Sequence, residues 1–217
     1  MSGSQFKISQ NRKPDHFVYA VKDFDHTLTL FENWLGIRPV IGGKHVVHGT
    51  KNALINLGDC CYLEIIAPDE ENKDCPKPRW MGVDQITSST ITRWAVKSET
   101  FVHDCEILHT FNPLLGIKNT GQRKTLDGDM LSWQMTMPAS SAEIDVVPFV
   151  IDWTGSTTHP TADLLPDCQL AEILIFHPFP DFVQPILDKL GIEILVKKAS
   201  DPRINIRIKH KTGTLVL

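Results

Sequence analysis

Three times along this chain a helix-like stretch runs into the same triplet: Leu35-Gly36-Ile37, Leu115-Gly116-Ile117 and Leu190-Gly191-Ile192. Each is preceded by a short β-type run. The first run is Asp15-His16-Phe17-Val18-Tyr19-Ala20-Val21. The second, Arg93-Trp94-Ala95-Val96-Lys97, echoes Val18-Tyr19-Ala20-Val21-Lys22, and the third spans residues 170–176. Gly36 follows His16 by 20 residues, and Gly191 follows Ala171 by the same 20. A glycine at such a place ends a helix because it accepts positive φ. Strand, helix and triplet recurring in order predict internal repetition, which constrains a fold more than any local propensity does.

The remaining elements fill in the repeat. Leu28, Phe31 and Leu35 stand at helical spacing within 25–34 and its end, and further helices are predicted at 99–111 and 182–190. Strands are predicted at 52–57 and 61–67, at 131–137 and 148–153, and at 193–197, 204–208 and 213–217. Gly42-Gly43 and Gly58-Asp59 read as turns. Residues 69–89 and 154–167 are rich in turn formers, poor in periodicity, and read as linkers. The expectation is an α+β protein of three βαβββ-type modules with curved mixed sheets. Modules at 14–68 and 90–153 form one domain, 14–153, and a third module spans 168–217. A βαβββ module covers one sheet face with its own helix and leaves the other open, so two modules pair over a shared cleft. The third then docks on that pair or completes a homodimer.

Composition excludes several classes. The net charge of −4 gives no basic field for nucleic acid. No stretch is apolar for long enough to span a bilayer. The five cysteines are odd in number and lack metal-type spacing, which suggests reduced thiols in a cytoplasmic protein. Residues 1–13 are polar, without the apolar core of a secretory leader. Gly-x-Ser-x-Gly, Walker and Rossmann patterns are absent.

Three strings carry a resemblance. The first is the Asp15–Val21 run followed by Leu35-Gly36-Ile37-Arg38-Pro39. The second is His48-Gly49-Thr50-Lys51-Asn52-Ala53-Leu54, then Leu57-Gly58, then Tyr62-Leu63-Glu64-Ile65-Ile66-Ala67-Pro68. The third is Leu131-Ser132-Trp133-Gln134-Met135-Thr136-Met137-Pro138 followed by Pro148-Phe149-Val150-Ile151-Asp152-Trp153. Together they resemble the glyoxalase-like domain family of the vicinal oxygen chelate superfamily, over about 14–153 and more weakly beyond. The superfamily includes glyoxalases, epimerases, extradiol dioxygenases and drug-sequestering proteins, so the resemblance implies fold far better than reaction.

It also implies that His16 and Glu64 occupy metal-ligand positions. Alternation agrees locally, placing His16, Val18 and Ala20 on one face of their strand and Tyr62, Glu64 and Ile66 on one face of theirs. An imidazole and a carboxylate converging in the cleft suit Zn, Mn, Fe or Ni, with vicinal substrate oxygens at open positions. The alternatives are a strand-edge histidine bonded to backbone and a carboxylate held by a hydrogen bond or an ion pair. The second module has no matching ligand pair; its positions fall near Ile91 and Thr92, then Ile151 and Asp152. Asp152 or Glu172 is the candidate third ligand.

Asp152 and His48 are the proton-transfer candidates, and Asn52, Tyr62 and Trp133 the substrate-pocket residues. For Thr50 and Asn52 the competing reading is a capped turn. Trp94 reads as core. The function expected is metal-assisted lyase, isomerase or dioxygenase chemistry on a small oxygenated metabolite. The alternative is a protein that binds or sequesters a small molecule without chemistry.

Overall fold

The computed structural model describes residues 12–124 and 130–217. The expectation drawn on residues 1–13 falls almost wholly outside that part. The first segment contains β1 (Pro14–Ala20), α1 (Phe24–Leu35), β2 (Val40–His45), β3 (Thr50–Asn56) and β4 (Tyr62–Pro68). The second contains β5 (Thr90–Lys97), α2 (Phe101–Phe111), β6 (Lys118–Lys124), β7 (Met130–Thr136) and β8 (Phe149–Asp152). Local chemistry accounts for α1. Asp23 accepts the His26 N–H at 3.0 Å, and Gly36, at φ 72°, returns its own N–H to the Glu32 carbonyl. Phe24, Leu28, Phe31 and Leu35 form its buried stripe.

The two segments share one curled, eight-stranded half-barrel sheet in the order β2-β3-β4-β1-β5-β8-β7-β6. In each segment the closing strand returns parallel to the opening one, β4 beside β1 and β8 beside β5. Strands β1 and β5 meet antiparallel at the centre. Alternation then gives the sheet two cores. Phe17, Ile55, Leu63, Ile65, Trp94 and Val150 pack with the helices on one face. Val18, Ala20, Ile66, Ala95, Phe149 and Ile151 line the inner face. Trp94, fully buried, donates its indole N–H to the Val146 carbonyl at 2.8 Å, as a core tryptophan should.

The edge strands differ from the sequence reading. Gly42-Gly43, expected to turn, lies inside β2, and β6 has no predicted counterpart. Both are edge strands, with one side unpaired and little apolar alternation to betray them. The middle triplet differs as well. Helix α2 ends at Phe111, and Pro113–Gly116 forms a separate 3-10 turn whose Leu114 N–H is capped by the Asn112 side chain. Gly116 is not there for positive φ. A Cβ on it would lie 2.6 Å from the His109 Cβ and 2.7 Å from the Cys105 carbonyl oxygen.

The third segment comprises β9 (Cys168–His177), α3 (Pro180–Lys189), β10 (Val196–Lys198), β11 (Arg203–His210) and β12 (Gly213–Val216). It repeats the β-α-β-β-β order but not the wiring. Its sheet runs β10-β9-β11-β12, so the last strand never returns beside the first. It docks on the helix-bearing face of the large sheet, where Ile175, Ile186, Leu187, Ile204 and Ile206 enter the same core as Phe17 and Trp94.

The connecting stretches carry side chains into the interior. From 69–89, Trp80, Met81, Val83 and Ile86 are buried against the inner face. Each such burial contributes about 2 kcal/mol. From 154–167, Thr161 is buried, and the Leu164 carbonyl accepts the Asn56 amide at 3.1 Å. All five cysteines are free thiols. No described helix is long and apolar enough to cross a membrane.

Candidate functional site

A β-bulge opens the site. Pro14 pairs with Val96 and His16 with Ala95, which leaves Asp15 as an extra residue in β1. Strict alternation would send Asp15 and His16 to opposite faces. The bulge instead brings them together, with His16 Nδ1 2.7 Å from an Asp15 carboxylate oxygen. His16 lies on the inner face, stacked on Tyr62 at 4.6 Å between centroids and edge-on to Phe149 at 5.2 Å.

Glu64 reaches the same place from β4. Its Oε2 is 3.9 Å from His16 Nε2, beyond hydrogen-bond distance, and the two side chains are 7% and 5% exposed. Asn52, on β3, donates its amide to Glu64 Oε1 at 2.6 Å. Asn52, Tyr62, His16 and Glu64 therefore form one buried group, brought together by three neighbouring strands.

Asp15 gathers a second set of partners. Its other carboxylate oxygen accepts the Trp153 indole N–H at 3.0 Å and lies 3.1 Å from His159 Nε2. Its side chain has no exposed surface. Burial opposes its ionisation, but hydrogen bonds from His159 and His16 outweigh that, and its pKa falls to about 2. His159 is edge-on to both Tyr62 and Trp153. Sequence reading missed Asp15, because the bulge that turns it is a pairing event. It missed His159, because that residue stands in an aperiodic stretch and meets Asp15 across 144 positions.

The other predicted residues lie elsewhere. His48 stacks on Trp80 at 4.6 Å, and burial pulls its pKa down. Thr50 is engaged by His45 Nδ1 at 2.9 Å. Asp152 accepts the Thr154 N–H at 2.8 Å and, with Trp133, Gln122, Ser132 and Gln134, borders a cavity of about 530 Å³ at the β6–β8 end of the sheet. Trp133 and Trp153 are in ring contact at 5.5 Å, so aromatic packing runs from that cavity to Asp15. Glu172 is on the surface, paired with Arg207 at 3.1 Å. Among the described residues, no group of three or more His, Cys, Asp or Glu side chains is arranged to hold a metal ion.

The family model for the glyoxalase-like domain matches residues 15–191. No curated protein matches the chain. A hypothetical protein from Staphylococcus aureus has a similar structure, with a TM-score of 0.63 at 15% identity over 92% of each chain. Methylmalonyl-CoA epimerase from Mycobacterium tuberculosis has a TM-score of 0.41 at 15% identity, over 68% of this chain and 91% of that one. The Streptomyces coelicolor epimerase, solved with 2-nitronate-propionyl-CoA, scores 0.43 at 14% identity, over 69% of this chain and 99% of its own. With the family match covering most of its length, on a curled sheet built from two paired β-α-β-β-β segments, the chain belongs to the glyoxalase-like domain family of the vicinal oxygen chelate superfamily.

Proposed function

We propose that the protein acts on a small oxygenated molecule at the His16–Glu64 pair, which supplies two ligands to a divalent metal. One observation carries the reading: a buried imidazole nitrogen and a buried carboxylate oxygen face each other at 3.9 Å while the imidazole's other nitrogen is engaged by Asp15. Two protein donors leave several coordination positions for water or vicinal substrate oxygens. That suits a six-coordinate ion such as Mn, Fe or Ni better than a four-coordinate Zn, whose catalytic sites take three protein ligands. A bound ion would supply Lewis acidity to a developing oxyanion, consistent with lyase, isomerase or dioxygenase chemistry. Asn52 holds Glu64 by its Oε1, and Tyr62 walls the imidazole.

The test is metal analysis of protein purified without chelator, beside His16→Ala and Glu64→Gln. The parent should carry about one divalent ion per chain and the variants close to none. Excess metal at 100 times Kd should stabilise the parent by about 2.7 kcal/mol. A metal-free parent whose melting ignores added ions would overturn the reading.

A second reading, binding without chemistry, is favoured by the cavity beside Trp133, where hydroxyl, amide and carboxylate side chains adjoin an indole. A thermal-shift screen in which ligands stabilise the parent but not Trp133→Ala would support it. With either reading we propose a cytoplasmic homodimer, for which the exposed Phe179, Phe182 and Leu195 of the third segment offer an apolar contact surface. Sedimentation giving a strict monomer would remove the dimer.

A further inference from the structure

The roles of donor and acceptor around Asp15 can be worked out from the residues themselves. An ionised carboxylate only accepts hydrogen bonds, and an indole N–H only donates. Trp153 Nε1–H therefore donates to Asp15. His159 has its Nδ1 next to two donors, the Thr161 backbone N–H at 3.3 Å and the Thr161 hydroxyl at 2.9 Å. Its Nδ1 accepts, so its hydrogen is on Nε2 and donates to Asp15 at 3.1 Å. Asp15 thus has one oxygen filled by Trp153 and His159. The other oxygen is left for His16 Nδ1 at 2.7 Å, which must carry a hydrogen to meet it. In neutral His16 the lone pair is then on Nε2, the nitrogen that faces Glu64 Oε2. Two acceptors confront each other in a buried space, an arrangement that calls for a positive or hydrogen-donating guest between them.

We propose that Asp15 is a positioning residue that locks His16 in the Nδ1–H form and so presents the Nε2 lone pair to the site, and that His159 and Trp153 hold Asp15 in place for this task. Residues 154–167, which read in the sequence as a linker, then form part of the site. Carboxylates that fix the outer nitrogen of a ligating imidazole commonly change metal affinity 10- to 100-fold when removed. The affinity arm of this inference rests on the metal reading above; the tautomer arm does not.

The tautomer is read directly from imidazole nitrogen shifts in long-range proton–nitrogen NMR spectra of the metal-free parent, with the His16 signals assigned by their loss in His16→Ala. The expected result is a protonated Nδ1 and a bare Nε2. In Asp15→Asn, checked for folding by circular dichroism, that preference should be lost and cobalt(II) affinity should fall about 10- to 100-fold. His159→Gln, whose amide can still donate to Asp15, should keep the parental spectrum, while His159→Leu should shift it toward that of Asp15→Asn. A parental His16 protonated on Nε2 alone or on both nitrogens overturns the proposal, as does a folded Asp15→Asn with an unchanged tautomer. A parent that binds no cobalt but shows the Nδ1–H form would sink the metal reading and leave the positioning role of Asp15 standing.

Discussion

The two halves of the large sheet are wired alike and equipped differently. Ala20 pairs with Ile66 in the first half, as Ala95 pairs with Phe149 in the second. Counting back two residues from those partners reaches Glu64 in β4 and Val147, just before β8. Val18, on the inner face of β1, matches Arg93 on β5, and the two are paired across the centre of the sheet. The Arg93 guanidinium does not serve the site. It donates to the backbone carbonyls of Thr92, Ser141 and Glu143, and ties down the stretch before β8. One half of the sheet thus carries the converging imidazole and carboxylate, and the other carries a structural arginine. A shared fold sets where side chains point; it does not set what they are.

Substitutions should tell the two halves apart. The largest effect is expected at His16→Ala and Glu64→Gln, where metal content measured by elemental analysis should drop from about one ion per chain to near zero, while Arg93→Met keeps its metal. Stability should respond the other way. Arg93→Met leaves several partly buried carbonyls without donors, at about 1–3 kcal/mol for each group that finds no substitute. Chemical denaturation should therefore give a loss of about 3 kcal/mol for Arg93→Met. Equal losses of metal in the two halves would end the division of labour.

A smaller effect separates by pH. The Asp15 pKa is depressed in the fold, from 3.8 to about 2, so its ionised form stabilises the folded state. That contribution, about 2 kcal/mol, is complete above pH 4 and is lost as pH falls through 2. In the presence of chelator, Asp15→Asn should be less stable than the parent by about 2 kcal/mol at pH 7, with the gap narrowing from pH 4 downward. A gap independent of pH would show that the carboxylate's charge is irrelevant.

The smallest effects contrast two glycines from the same triplet. Gly36 sits at φ 72° with open space around it, so Gly36→Ala should cost about 1 kcal/mol, and Gly36→Asn less, because asparagine tolerates that conformation. A Cβ at Gly116 would instead meet side chain and backbone within 2.7 Å. Gly116→Ala should cost about 1.5 kcal/mol through overpacking, with no relief from asparagine. Similar responses at the two sites, measured by thermal melts, would mean that the triplets work alike after all.

The convergence of His16 with Glu64 was implied by the family resemblance, alternation adding only that each lies on one face of its strand; the central strands and the three helices were legible in the sequence itself. Each follows from a local period: apolar residues every second position in a strand, or every third and fourth in a helix, mark the face that must leave water. Strands β2 and β6 escaped that reading because edge strands need no such period. The repeat signal was likewise local. It identified strand, helix and triplet in the third segment, but could not foresee that β12 would pair with β11 alone. Long-range pairing alone turns Asp15 toward His16, brings Trp153 and His159 back to hold it, and packs residues 80–86 beneath the sheet. Those contacts depend on a bulge in strand pairing and on partners up to 144 positions apart. A local pattern records which face of an element is buried; what it is buried against is settled only when the sheet closes.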